Sequence, residues 1–290
     1  RLVGSEMCIR DRYRQTWASI YKAPRAACSV SFMRLIHCAC GTDTLIKGAE
    51  HHILPPVPSR RDLKFLDAIA REVLPVDPTP SLQDIAASPN VSHLGEPALA
   101  PQQPNERLRI IVSGTDAALS AVLTRMMRAD YLWAEIAYVP NDPSSPAAVV
   151  WGTTVALAVD GPVHPIPCIR NDAGLVVAGA ATLTHANGAP YIGEIVVDND
   201  VLVRSDGRGR VFGARLVPTT HAPGLAAAAI RKPRFRRESL IDATFTPSGR
   251  ALQSGGRSIL VTVDGIPAKR PVERVTFYRH LRDIQAVREL

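Results

Sequence analysis

Apolar residues recur along this chain with two different periods. In Asp62–Leu74, DLKFLDAIAREVL, the residues Leu63, Leu66, Ile69, Ala70, Val73 and Leu74 fall on one helical face, and Pro75 stops the run. In Arg107–Arg128 a short β-branched stretch, Leu108, Ile110, Ile111 and Val112, predicts a buried strand. Ser113-Gly114-Thr115-Asp116 is a turn after it, and Leu119, Val122, Leu123 and Met126 then repeat at i, i+3, i+4 and i+7. Thr115 or Asp116 can cap that helix through a side-chain oxygen. A second buried strand is predicted over Trp133–Val139, a loop over Pro140–Pro146, and two short helices over Ala147–Trp151 and Thr154–Asp160, split at Gly152.

From Val163 the period changes to strict alternation. His164–Arg170, Gly174–Thr184, Ile192–Val197, Val201–Arg204 and Val211–Val217 read as strands, with Ile241–Phe245, Ile259–Val263 and Arg274–Tyr278 following. Turn residues such as Asn187-Gly188 and Asn199-Asp200 separate them at hairpin spacing, the mark of an antiparallel sandwich or barrel. The predicted organisation is therefore a small α/β domain over 107–162 and a β domain over 163–290. Pro75–Glu106 carries seven prolines and little periodicity, a linker composition. Residues 13–106 are read as a poorly ordered N-terminal region holding the one helix at 62–74. Residues 1–12, RLVGSEMCIRDR, resemble translated adapter sequence and are set aside as non-native.

Composition narrows the function. Hydrophobic residues make up 46% of the 290 and charged residues 21%, as in a globular protein. A net charge of +7 favours anionic ligands or surfaces. No apolar run approaches the roughly 20 residues of a spanning helix. Five cysteines, four of them within the first 40 residues, do not form a disulfide framework, and the reading is a cytoplasmic protein. Cys28, His37, Cys38, Cys40, His51 and His52 invite a zinc reading, but only His37-x2-Cys40 has knuckle spacing, so no metal is expected.

Two stretches could carry binding chemistry. A strand entering a helix through the Ser113, Gly114, Thr115 and Asp116 turn aims free backbone N–H groups at one point, where a phosphate can sit. The run RKPRFRR supplies Arg231, Lys232, Arg234, Arg236 and Arg237 as candidates for an anionic surface. A nucleic-acid platform would want several aromatics beside them, and only Phe235 is near, so no specific nucleic acid is expected. H-E-x-x-H, G-x-S-x-G and GxxxxGK[ST] are absent from the sequence.

The segment GTDAALSAV resembles the GGDGTLNEV signature of the diacylglycerol kinase, sphingosine kinase and NAD kinase superfamily. Gly114, Asp116, Leu119 and Val122 match; Thr115 stands for the second glycine, Ala117-Ala118 for glycine-threonine, and Ser120-Ala121 for asparagine-glutamate. The superfamily's P-x-G-T-x-N-D-x-A loop is matched at Pro140 and Ala148, with Asp142-Pro143 in place of Gly-Thr and Ser145-Pro146 in place of Asn-Asp. Asp264-Gly265-Ile266 stands where lipid kinases carry Asp-Gly-Glu, leaving a plain turn without its glutamate. The resemblance implies an α+β fold, a nucleotide-binding-like α/β domain followed by an antiparallel β-sandwich. It also implies a degenerate relative that works as a binding or regulatory module, with Asp116 as a vestige of the site and no cofactor. The alternatives are an active ATP-dependent lipid kinase using ATP and Mg²⁺, and an anionic-surface protein, peripheral to a membrane, acting through the basic run.

Overall fold

In a computed structural model, which describes residues 33–73, 95–101, 104, 106–151, 154–232 and 240–289, the run around Leu108–Val112 is strand β3 (Arg107–Gly114). It is flanked on one side by β1 (Met33–Cys40), itself paired with β2 (Glu50–Leu54), and on the other by β4 (Glu135–Pro140). All of these pairings are parallel. The expectation that ordered structure begins near Arg107 is thus corrected: β1 pairs with β3 from Met33↔Arg107 to Ala39↔Ser113 and lies inside the sheet. MRLIHCAC hides this role because its histidine and cysteines read as chemistry, although Ile36, His37 and Cys38 are all fully buried. A strand covered on both faces need not alternate.

Helix α1 (Lys64–Val73) is the predicted amphipathic helix, and α2 (Asp116–Arg128) is the helix after the turn. Leu63, Leu66 and Ile69 share one core with Ile36, Ile110, Val112, Leu119, Val122 and Met126. The pairing of Asp67 with Arg125 ties the two helices, and Tyr131 Oη donates to the same carboxylate at 3.3 Å. Two short helices, α3 (Pro146–Trp151) and α4 (Val155–Asp160), follow β4 as predicted. The fully buried Arg109 donates to Glu135 at 2.7 Å, to the Val159 carbonyl at 2.6 Å and to the Gly161 carbonyl at 2.9 Å. Its charge is therefore paired and also satisfies the carbonyls that end α4.

The antiparallel part comprises β5 (Ile169–Asn171), β6 (Ala181–His185), β7 (Ile192–Val197), β8 (Asp200–Asp206), β9 (Val211–Pro218), β10 (Leu225–Arg231), β11 (Leu240–Asp242), β12 (Ser248–Gly249), β13 (Ala251–Val263), β14 (Ile266–Pro267) and β15 (Val272–Arg279). Its main path runs β11-β10-β9-β6-β13-β15-β5. The long β13 changes partner along its length: Leu252–Gly256 pairs with β7, and Ile259–Val263 with β6. That change brings Leu183, Ile195, Val197, Leu216, Leu252 and Phe277 into a second core. The architecture is the expected α+β arrangement, a parallel sheet with helices and a large antiparallel sheet. One boundary is corrected: Gln285–Ala286 (β16) leaves the β domain and pairs in parallel with Glu135–Ile136 of β4. Among the described residues, no helix is long and apolar enough to cross a membrane.

A chain starting at Asn105 would lack two of the parallel strands and Ile36, Leu63 and Leu66 of the core. It is expected to show no cooperative thermal transition by circular dichroism, whereas a chain starting at Met33 unfolds in one step. A sharp transition in the shorter chain would return the first hundred residues to the status of an appendage.

Candidate functional site

The predicted strand Gly174–Thr184 becomes regular only from Ala181. Before that, apart from the Val177 N–H on the Ile169 carbonyl, side chains replace the ladder. Val176 N–H donates to Thr124 Oγ1 of α2 at 2.9 Å, Ala178 N–H to Asp264 Oδ2 at 2.8 Å, and the Gly179 and Ala180 N–H groups to Asp264 Oδ1 at 2.8 and 2.9 Å. Asp264 (φ 48°) and Gly265 (φ 83°) form the left-handed turn between β13 and β14. The turn is therefore more than the plain connection expected from its sequence: it fastens the segment that joins the α/β and β domains.

Asp116 faces this segment from the other domain. Its Oδ1 accepts from Tyr138 Oη (2.9 Å) and Ser145 Oγ (2.6 Å), and its Oδ2 from Ala147 N–H (2.9 Å). Gly179 lies against it, and a Cβ there would come within 2.5 Å of Ala147 N and 2.8 Å of Asp116 Oδ2. Only glycine allows the two chains to approach so closely. Burial pushes the Asp264 carboxyl up to about 6 against the pull of its three N–H donors, and the nearby Asp116 charge adds to the rise. Burial likewise raises the Tyr138 hydroxyl, with Asp116 contributing.

The two carboxylates stand at one end of a cleft of about 440 Å³. Thr115, Asn141, Asp142 and Ser145 line it from the α/β domain. From the β domain come Thr182, Arg215 and Thr262, which lie side by side on three adjacent strands, Thr262↔Thr182 and Thr182↔Arg215. Directly paired residues share a face, so two hydroxyls and a guanidinium form one row. Arg215 is half-buried and, among the described residues, makes no ion pair or side-chain hydrogen bond. It is the one cation lining the cleft among those residues.

The candidate turn divides between two environments. Ser113 is fully buried and shares a 2.8 Å hydrogen bond with His37, so its hydroxyl faces β1 and not the cleft. Gly114 is required by its φ of 152°, and a Cβ would meet the Cys40 carbonyl at 2.9 Å. Thr115 caps α2, accepting from Ala118 N–H, and with Asp116 it reaches the cleft. The loop after β4 and the helix that follows it dock on Asp116 through Ser145 Oγ and Ala147 N–H.

Of the basic run, Arg231 ends β10 in an ion pair with Asp242 at 2.6 Å, and Lys232 lies over the Phe212 ring. Arg234, Arg236 and Arg237 lie outside the described residues. Cys38 and Cys40 sit in β1, where burial raises the Cys38 thiol and pushes Cys40 up to about 12. Cys28 lies outside the described residues. The His37 imidazole, forced down to about 4 by burial and by its neighbour His51, is bonded to Ser113 and His51. Among the described residues, no group of three or more potential ligands converges as a metal site.

No family model matches this sequence, and no curated protein matches it either. Its fold does have counterparts. A diacylglycerol kinase from Bacillus anthracis superposes over 87% of this chain and 96% of its own, with a TM-score of 0.55 at 9% identity. An NAD kinase from Archaeoglobus fulgidus, solved in complex with ATP, covers 86% and 92% with a TM-score of 0.42 at 11% identity. The chain thus shares its overall fold with that Bacillus anthracis diacylglycerol kinase.

Arg215, Thr182 and Thr262 escaped the sequence reading because only strand register brings them together. Asp264 was recognised as a turn residue, but its three acceptor contacts are 84 to 86 residues away. Two outcomes follow from this site. By carbon-detected NMR the Asp264 carboxyl should titrate near 6, and Asp116→Asn should lower that midpoint. Since the folded value exceeds the ordinary 3.8, protonation of Asp264 stabilises the fold fully below pH 4, and this contribution disappears as pH rises through about 6. Gly179→Ala should destabilise by about 1–3 kcal/mol in urea denaturation, the usual cost of overpacking.

Proposed function

We propose that this protein is a kinase-fold binding module that holds a phosphate-bearing ligand in the cleft without transferring the phosphoryl group. The observation that carries this reading is the engagement of both cleft carboxylates: Asp116 and Asp264 each accept three hydrogen bonds from the protein itself. A carboxylate offers about four acceptor positions, so each has little capacity left for a metal. Phosphoryl transfer relies on charges and donors placed around the moving group, usually with Mg²⁺. A divalent cation does not fit between two carboxylates already turned to backbone and hydroxyl donors, and no step is assigned to one. Ile266, at the position of the lipid kinases' glutamate, offers no base.

Binding rests on the row opposite. The Arg215 guanidinium matches a phosphate oxygen pair, and the Thr182 and Thr262 hydroxyls lie beside it. Asp116, Asp142 and Asp264 line the same cleft, so affinity for a highly charged ligand is modest. A second reading, an active ATP-dependent kinase, draws support from the Asp264 carboxyl, which burial pushes up to about 6 within the cleft, toward the range of a general base.

Calorimetry with ADP and with ATP separates the two. Weak saturable binding is expected, lowered about 10- to 100-fold by Arg215→Ala, the range for a lost charge-assisted hydrogen bond. No ADP should form from ATP over hours with diacylglycerol present. Turnover that rises with pH through about 6 and vanishes in Asp264→Asn would establish the kinase instead.

A further inference from the structure

A second concavity, of about 360 Å³, lies on the other side of the β13–β14 hairpin. Side chains alternate along β13: Thr262 and Asp264 line the cleft, whereas Val261 and Val263 line this groove. Helix α2 divides in the same way, giving Thr115 and Asp116 to the cleft and Ala117 and Ala121 to the groove. The groove gathers four of the protein's exposed large apolar side chains, Val57 (43% exposed), Leu175 (40%), Ile266 (50%) and Val272 (38%). Concentration of such residues in one concavity marks a binding surface, whereas scattered ones do not.

Most polar side chains along its walls are engaged. Ser120 Oγ donates to the Val176 carbonyl at 2.6 Å, and Thr124 Oγ1 accepts from Val176 N–H. Arg125 is held by Asp67, and Arg128 by the Ala173 and Gly174 carbonyls. Asp172 accepts from Thr276 N–H. Two lining cations remain, Arg60 and Arg274. Both are exposed and, among the described residues, have no ion pair or side-chain hydrogen bond.

We infer that this groove binds a long-chain carboxylate, with the alkyl chain along Val57, Leu175, Ile266 and Val272 and the carboxylate at Arg60 and Arg274. The chain removes apolar surface from water, worth roughly 25 cal/mol per Å². The guanidinium fork matches a planar carboxylate. A tetrahedral anion would look for a cradle of backbone N–H groups, and the N-terminus of α2 opens on the other cleft. Its volume falls within the roughly 300–1,000 Å³ of small-molecule sites. This site is independent of the phosphate-ligand reading of the cleft.

The test is calorimetric titration of the full chain with dodecanoate below its micellar concentration. One-to-one saturable binding is expected. Dodecanol and dodecyltrimethylammonium should bind at least tenfold more weakly. Ala121→Trp, which fills the groove, and Ile266→Glu, which places a carboxylate along the chain path, should each weaken binding at least tenfold, as should combined Arg60→Ala and Arg274→Ala. Arg208→Ala, which removes an exposed charge on a distant hairpin, controls for net charge and should change little. Melting temperatures identify any variant that fails to fold, and Ile266→Glu, at a half-exposed turn position, is the one least exposed to that failure. The proposal is overturned by absence of saturable binding, by equal affinity for the alcohol or the cationic amphiphile, or by folded groove variants that bind like the wild type.

Discussion

One carboxylate holds this molecule together at its waist. Three successive backbone N–H groups, those of Ala178, Gly179 and Ala180, have no strand to pair with, and each would be costly if buried without an acceptor. Asp264 takes all three. The arrangement sets two effects against each other at one atom group: the N–H donors favour the charged form, while burial and the charge of Asp116 oppose it. Burial prevails, so the turn that fastens the two domains is also a proton-sensitive point.

The neighbouring constraint is steric. Asp116 gathers Tyr138, Ser145 and Ala147 around itself, and Gly179 fits against that cluster because it has no side chain. Cleft and groove are consequently separated by a thin wall, whose two faces are set by the alternation of β13 and the winding of α2. A change in the wall alters both concavities, while a change on either lining face can act alone.

How much of this could be read from the chain depended on whether the signal was local. The turn before α2, the two short helices after β4 and the β7–β8 hairpin carry caps, prolines or an Asn-Asp turn, and they were legible, whereas the Asn187-Gly188 turn joins β6 to β7 without pairing them. β1 was not, because His37 and the cysteines resemble ligands until the parallel sheet covers both faces. β10, LAAAAIR, has no period that distinguishes strand from helix; only its pairing with β9 decides. The site follows the same division. Asp116 and Thr115 stand in a signature, whereas Arg215 acquires meaning only from Thr182 and Thr262 across two strand pairings.

The return of Gln285–Ala286 to the edge of β4 has a consequence for how the protein is made. The β domain is in effect an insertion between the last two strands of the parallel sheet. A ribosome delivers β1, β3 and β4 early, but the edge of β4 at Glu135–Ile136 stays unpaired until about 150 further residues have been synthesised, roughly eight to thirty seconds at typical elongation rates. An open strand edge invites pairing with another chain. The nascent protein therefore passes through an interval of vulnerability set by translation speed and ended by the pairing of Gln285–Ala286.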